Sequence, residues 1–215
     1  VEVHVYLCDR NLVEKGEETI RRFAAEYAQD MNMGHLQNAL ETAQIARNPA
    51  GKPYFSNIPE IHFSPSHSGI VWGCAYDLSP LGFDLEDRNR LELKLASDES
   101  KRQQRWLKIA RRFFSAEEYE YVKAGGEEAF FRIWVRKEAY VKYQGTGLLT
   151  AAGRIRMVAD GELLADLSHA YVEELVLSNG LIGAYCSAEK RTIDRVIDCR
   201  ESRNKENRYT DIKDN

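Results

Sequence analysis

Apolar and polar positions alternate over Val1–Leu7, with Val1, Val3 and Val5 on one face, which predicts a strand. Residues 17–46 are rich in Ala, Glu, Gln and Arg and predict helices broken near Asn32–Gly34. Asn48-Pro49 and Gly51 mark a turn. Short apolar runs at Ile61–Phe63 and Ile70–Tyr76 predict strands with SPSHSG as the loop between them, and Leu81–Leu85 predicts another, entered through Ser79-Pro80. The pattern turns helical over 99–112, 115–123 and 127–143. Ser115 with Glu118 three residues on has the form of a capping box, and Gly145 and Gly147 end the last of these helices. Beyond Gly147 strands return at Ile155–Val158, Tyr171–Leu177 and Leu181–Cys186, joined by Asp160-Gly161 and Asn179-Gly180, the latter a strong hairpin signal. The order predicts an α+β fold in two halves of similar content, with a boundary near 88–100: an N-terminal lobe over 1–95 and a C-terminal lobe over 96–190. The charge-dense tail, 191–215, is expected to be partly disordered, with Ile193, Val196 and Ile197 on one short docked helix.

Composition narrows the class. The 215 residues are 43% hydrophobic and 30% charged, as in soluble globular proteins, and no apolar run reaches the roughly 20 residues of a membrane span. The first residues lack a signal-peptide layout, so a cytoplasmic location is the default. The net charge of −4 argues against a nucleic-acid partner. Cys8, Cys74, Cys186 and Cys199 form no CxxC pair, so they are read as reduced thiols, the first three buried, rather than as a zinc site.

Three segments carry candidate chemistry. Asp84 and Glu86 in LGFDLED sit two apart, so strand period sets both on one face while Phe83 and Leu85 turn to the core. They form either an exposed polar face or a site for a hard cation. Glu138 and Lys142 are spaced i, i+4 in FFRIWVRKEAYVKYQGTG, with Lys137 alongside. Such a pair is common surface decoration, but charges on an aromatic, buried helix need partners, which a metal and a phosphate would supply. His67, flanked by Ser66, Ser68 and Gly69, is either structural or a phosphate contact, and Lys52 in GKP is an exposed turn lysine or a nucleotide contact. The stretch 101–112 holds six positive charges and no negative one. Lys101, Arg105, Lys108 and Arg112 share one helical face, Trp106, Ile109, Ala110 and Phe113 another. That basic face is a solvated surface or a landing site for an acidic partner.

Taken in order, GKPYF, SPSHSG, LGFDLED, KIARRFFSAEEY and WVRKEAYVKYQGTGL resemble the 4′-phosphopantetheinyl transferases of the surfactin-synthetase (Sfp-like) type, from about residue 47 to 187. The resemblance implies two lobes related by pseudo-twofold symmetry, a site in the cleft between them, and a monomer. It implies Mg²⁺, coenzyme A as donor, a serine of an apo acyl or peptidyl carrier protein as acceptor, and adenosine 3′,5′-bisphosphate as co-product. Carried over by motif, Asp84, Glu86 and Glu138 resemble the metal carboxylates, with Glu138 also the general base. Lys142 resembles the residue that steadies the leaving phosphate. His67, with Ser66 beside it, resembles the holder of the 3′-phosphate, Lys52 a nucleotide contact, and Lys137 a neighbour of the pyrophosphate. Family members often carry a basic helical stretch before GKP; residues 23–46 here contain no Lys or Arg, which leaves Arg21, Arg22 and Arg47 as candidates. Competing readings are a metal-dependent phosphodiesterase on the same carboxylates and a non-catalytic module that binds carrier protein or coenzyme A.

Overall fold

Strand β1 (Val3–Asp9) sends Val3, Val5 and Leu7 to one side and Tyr6 and Cys8 to the other, and both sides are buried. The computed structural model describes residues 3–12, 16–88, 99–146, 155–177, 180–191, 193–200 and 210–211. In it β1 lies inside a five-stranded sheet with β4 (His62–Ser68), β5 (Val71–Asp77), β11 (Ile193–Asp198) and β12 (Thr210–Asp211), in the order β12-β11-β1-β5-β4. Helix α1 (Gly16–Asp30) covers the outer side of this sheet. Its Phe23 stacks on Tyr6 at 4.6 Å, and Tyr27 packs against Tyr76. A short helix, α2 (Gln37–Glu41), and a hairpin of β2 (Ile45–Arg47) and β3 (Pro53–Phe55) follow, so the helical reading of 17–46 gives way to a strand at its end.

The second sheet is antiparallel, with β6 (Leu81–Asp87), β10 (Leu181–Ser187) and β9 (Tyr171–Val176) in the order β6-β10-β9. Phe83, Leu85, Leu181 and Tyr185 face Val5, Leu7 and Ala75 of the first sheet and make the core between the two. The opposite face packs under α3 (Glu99–Phe113) and α4 (Ala116–Gln144), where Ala184 and Cys186 meet Phe131, Val135 and Ala139. A small hairpin, β7 (Val158–Ala159) and β8 (Glu162–Leu163), completes the described elements. The result is a mixed α+β structure with layers in the order helix, sheet, sheet, helix. Buried on both faces, the middle strands read as near-continuous apolar runs.

The two helices expected at 115–123 and 127–143 are the two halves of α4, which breaks between them at Gly126, where φ is 69° and ψ −149°, a conformation that only glycine takes easily. Two elements depart from the sequence reading. Strand β6, inside the expected N-terminal lobe, pairs with β10 and so belongs to the second sheet. Residues 193–198 form a strand rather than a helix, because one edge of β1 offers a parallel ladder that pairs Val5 with Val196 and Tyr6 with Ile197. No helix among the described residues is long and apolar enough to cross a membrane.

Candidate active site

The site forms where the edge of the first sheet meets the edge of the second, under the C-terminal half of α4. SPSHS is not a loop: it is edge strand β4, and an edge tolerates Pro65 because a missing N–H breaks no inner ladder. Strand period turns Ser64, Ser66 and Ser68 toward β6. The Ser64 hydroxyl accepts from the Phe83 N–H at 3.0 Å, and the Ser66 hydroxyl accepts from the Leu85 N–H at 3.3 Å and donates to Asp84 Oδ1 at 2.7 Å. Ser68 donates to Glu86 Oε2. Serine side chains thus stitch two sheet edges together and aim two carboxylates. The SPSHS alternation carried that signal, but the proline hid it.

Gly82 sets the height of α4 over β6. A Cβ there would lie 1.9 Å from the Ala139 carbonyl oxygen and 2.3 Å from the Tyr143 nitrogen, so helix and strand touch backbone to backbone. That contact brings Lys142 down to Asp84, with Nζ 2.8 Å from Oδ1, and Lys142 also donates to the Pro65 carbonyl at 3.2 Å. Asp84, Glu86, Glu138 and Lys142 line one cavity of about 260 Å³ with His67, which is exposed, and Trp134. A second cavity of about 220 Å³ shares Pro65, Glu138 and Lys142 with the first and continues to Gly51, Lys52 and Gly145. Burial raises the Glu138 carboxyl from its ordinary value to about 7, and the charges of Asp84 and Glu86 add to the rise while Lys142 opposes it. Asp84 is 5% exposed, so the exposed-face reading of LGFDLED does not hold.

Three of the expected ligand contacts make bonds within the protein. Ser66 is buried and serves Asp84. Lys52 lines the second cavity, but its ammonium donates to the Leu81 carbonyl at 2.8 Å and the Tyr143 carbonyl at 3.5 Å. Burial lowers its pKa to about 8. Lys137 is outside the cluster altogether: it is 1% exposed, 3.0 Å from Glu118, and donates to the Ile155 carbonyl at 2.5 Å. Consecutive helical residues point about 100° apart, so adjacency to Glu138 in sequence is not adjacency in space. On α3, Arg105, Lys108 and Arg112 are exposed over buried Trp106 and Ala110, as the face reading expects, whereas Lys101 lies outside the residues whose side chains are described. Among the described residues no group of three acidic, histidine or cysteine side chains forms a ready metal cage. Asn48, which the sequence marked only as a turn residue, donates from Nδ2 to the Gly145 carbonyl at 3.2 Å.

The family model of the 4′-phosphopantetheinyl transferase superfamily matches residues 80–173, which include β6, both helices over the second sheet, and Asp84, Glu86, Glu138 and Lys142. Over this stretch, a little under half of its length, the chain is similar to that superfamily. Among similar proteins, 4′-phosphopantetheinyl transferase Sfp of Bacillus subtilis (strain 168) is 31% identical over 148 residues, 64% of this chain and 60% of that protein. The 4′-phosphopantetheinyl transferase psf-1 of Bacillus pumilus is 38% identical over 120 residues, 53% of this chain and 46% of that protein. The 4′-phosphopantetheinyl transferase gsp of Aneurinibacillus migulanus is 30% identical over 112 residues, 50% of this chain and 40% of that protein. The match to this chain therefore spans between 40% and 60% of the length of these transferases.

Proposed function

We propose that this chain transfers the 4′-phosphopantetheine group of coenzyme A to a serine hydroxyl of an apo acyl or peptidyl carrier protein, with Mg²⁺, and releases adenosine 3′,5′-bisphosphate. The observation that carries the reading is the charge balance of the cavity: Asp84, Glu86 and Glu138 face it with one lysine among them. This crowding helps hold the Glu138 carboxyl at about 7, and a divalent cation would relieve it. Mg²⁺ takes one or two protein carboxylates and fills its shell with water and substrate oxygens, so the donor set fits without a closed protein cage. Asp84, Glu86 and Glu138 would hold it. When bound, the ion would offset charge on the pyrophosphate of the donor.

The chain's own side chains supply the rest. Glu138, ionised at neutral pH in part, takes the proton from the attacking serine hydroxyl, a role that contributes ~10²–10⁴-fold when well placed. The Lys142 ammonium steadies charge on the departing phosphate. His67, on the exposed side of β4, contacts the 3′-phosphate of the donor, whose nucleotide runs into the cavity below Gly51. Arg105, Lys108 and Arg112 receive the acidic carrier. The two sheet-and-helix units act as the paired lobes of the family, in a cytoplasmic monomer.

The direct test is the intact mass of an apo carrier protein incubated with this protein, coenzyme A and Mg²⁺. The expected result is a gain of one phosphopantetheine, lost when Mg²⁺ is chelated. No gain across acyl and peptidyl carriers, with coenzyme A bound, would favour the non-catalytic module.

A further inference from the structure

The last carbonyls of a helix have no acceptor role within it and need outside donors. At the end of α4 the chain turns through Gly145 at φ 63°, and the Gly145 and Thr146 N–H groups bond back to Lys142 at 3.3 Å and Val141 at 3.4 Å. This is a Schellman ending. Two later carbonyls are met from the first half of the chain. Lys52 Nζ reaches that of Tyr143 and Asn48 Nδ2 that of Gly145. Cationic and N–H donors at this end also suit the helix dipole.

Asn48 has a second task. Its Oδ1 accepts from the N–H of Ala50 at 3.0 Å and of Lys52 at 2.9 Å, so one side chain both folds the 48–52 turn and fastens it to α4. The fit is close: a Cβ on Gly145 would lie 2.7 Å from Asn48 Nδ2. Through Lys52 the same turn holds the Leu81 carbonyl, at the start of the strand that carries Asp84. The turn therefore grips the helix bearing Glu138 and Lys142 and the strand bearing Asp84 at once.

We infer that Asn48 is a positioning residue, which holds Glu138 and Lys142 in register with Asp84 by tying the 48–52 turn to the end of α4. The inference rests on the transferase reading for its effect on rate, but the tie itself is measurable without activity. Asn48→Asp keeps the Oδ1 acceptor that folds the turn and replaces the donor with an acceptor facing a carbonyl. Gly145→Ala attacks the same contact from the helix side.

Hydrogen exchange on the full chain should speed about tenfold at 141–146 in both variants and stay unchanged at 127–135. In carrier transfer, kcat should fall about tenfold while KM for coenzyme A stays within about twofold, since small misplacements of catalytic groups cost rate rather than binding. Unchanged exchange would overturn the tie. Faster exchange with unchanged kcat would make it merely structural, and a raised KM with unchanged kcat would make Asn48 a donor contact; either overturns the inference. If the wild-type protein modifies no carrier, the transferase reading fails by itself, and the exchange comparison still decides whether Asn48 holds the helix end.

Discussion

Helix α4 carries two lysines, five residues apart, whose ion pairs with carboxylates have opposite fates. Lys137 and Glu118 have side chains 1% and 0% exposed, and every Glu118 oxygen is engaged: Oε1 by the Met157 N–H at 2.7 Å, Oε2 by the Ser115 N–H at 2.6 Å and by Lys137. Lys142 and Asp84 have side chains 27% and 8% exposed, beside Glu86 and Glu138 on an open cavity. One pair is charge-balanced and sealed; the other belongs to a set with more negative than positive groups and a way in. Burial lowers the Lys137 pKa, opposed by Glu118, whereas crowding adds to the rise of Glu138. A buried ion pair is thus not by itself a sign of chemistry. Surplus charge facing a cavity is the better sign.

The comparison breaks most sharply by mutation. Glu138→Gln and Asp84→Asn should each lower carrier modification by about 10²–10⁴-fold while thermal melting moves little, because the open site is not what holds the fold. Retained activity in either would detach the chemistry from the cavity. Lys137→Met should do the reverse: it strands the Glu118 carboxylate and should cost about 3–5 kcal/mol in urea unfolding, with kcat of the folded fraction unchanged. Ser68→Ala should be milder, since it removes only the hydroxyl that aims Glu86. A loss of about 1 kcal/mol in stability is expected, together with weaker Mg²⁺ binding by titration calorimetry. The smallest effect concerns Lys52, whose pKa falls from 10.5 to about 8. The folded state then sheds a proton before the unfolded state does, so stability should rise with pH between about 8 and 10.5. Melting curves of the wild type and Lys52→Met across that window should converge as pH rises.

Much of this was legible in the chain. Period-two alternation marked β1, short apolar runs between turn residues marked β5, β6 and β10, and Ser115, Glu118 and Gly145 bracketed α4 with local capping chemistry that needs no tertiary partner. The carboxylates and Lys142 were legible because strand and helix periods fix which side chains share a face. What escaped depends on neighbours distant in sequence. Ile193, Val196 and Ile197 are spaced as in a helix, and only the open edge of β1 makes them a strand. The internal partners of Ser66, Lys52 and Lys137 escaped too, because sequence shows that a polar group is present, not where it points. Their partners, Asp84, Leu81 and Glu118, lie between 18 and 29 positions away.

Single-turnover transfer to an apo carrier, followed by intact mass for the wild type, Asp84→Asn and Lys137→Met side by side, tests the central claim most directly. The open cavity and not the sealed pair is predicted to carry the reaction, so Lys137→Met, measured where it is folded, should match the wild type and Asp84→Asn should leave the carrier unmodified. Equal transfer by wild type and Asp84→Asn, or loss of transfer only in folded Lys137→Met, would contradict it.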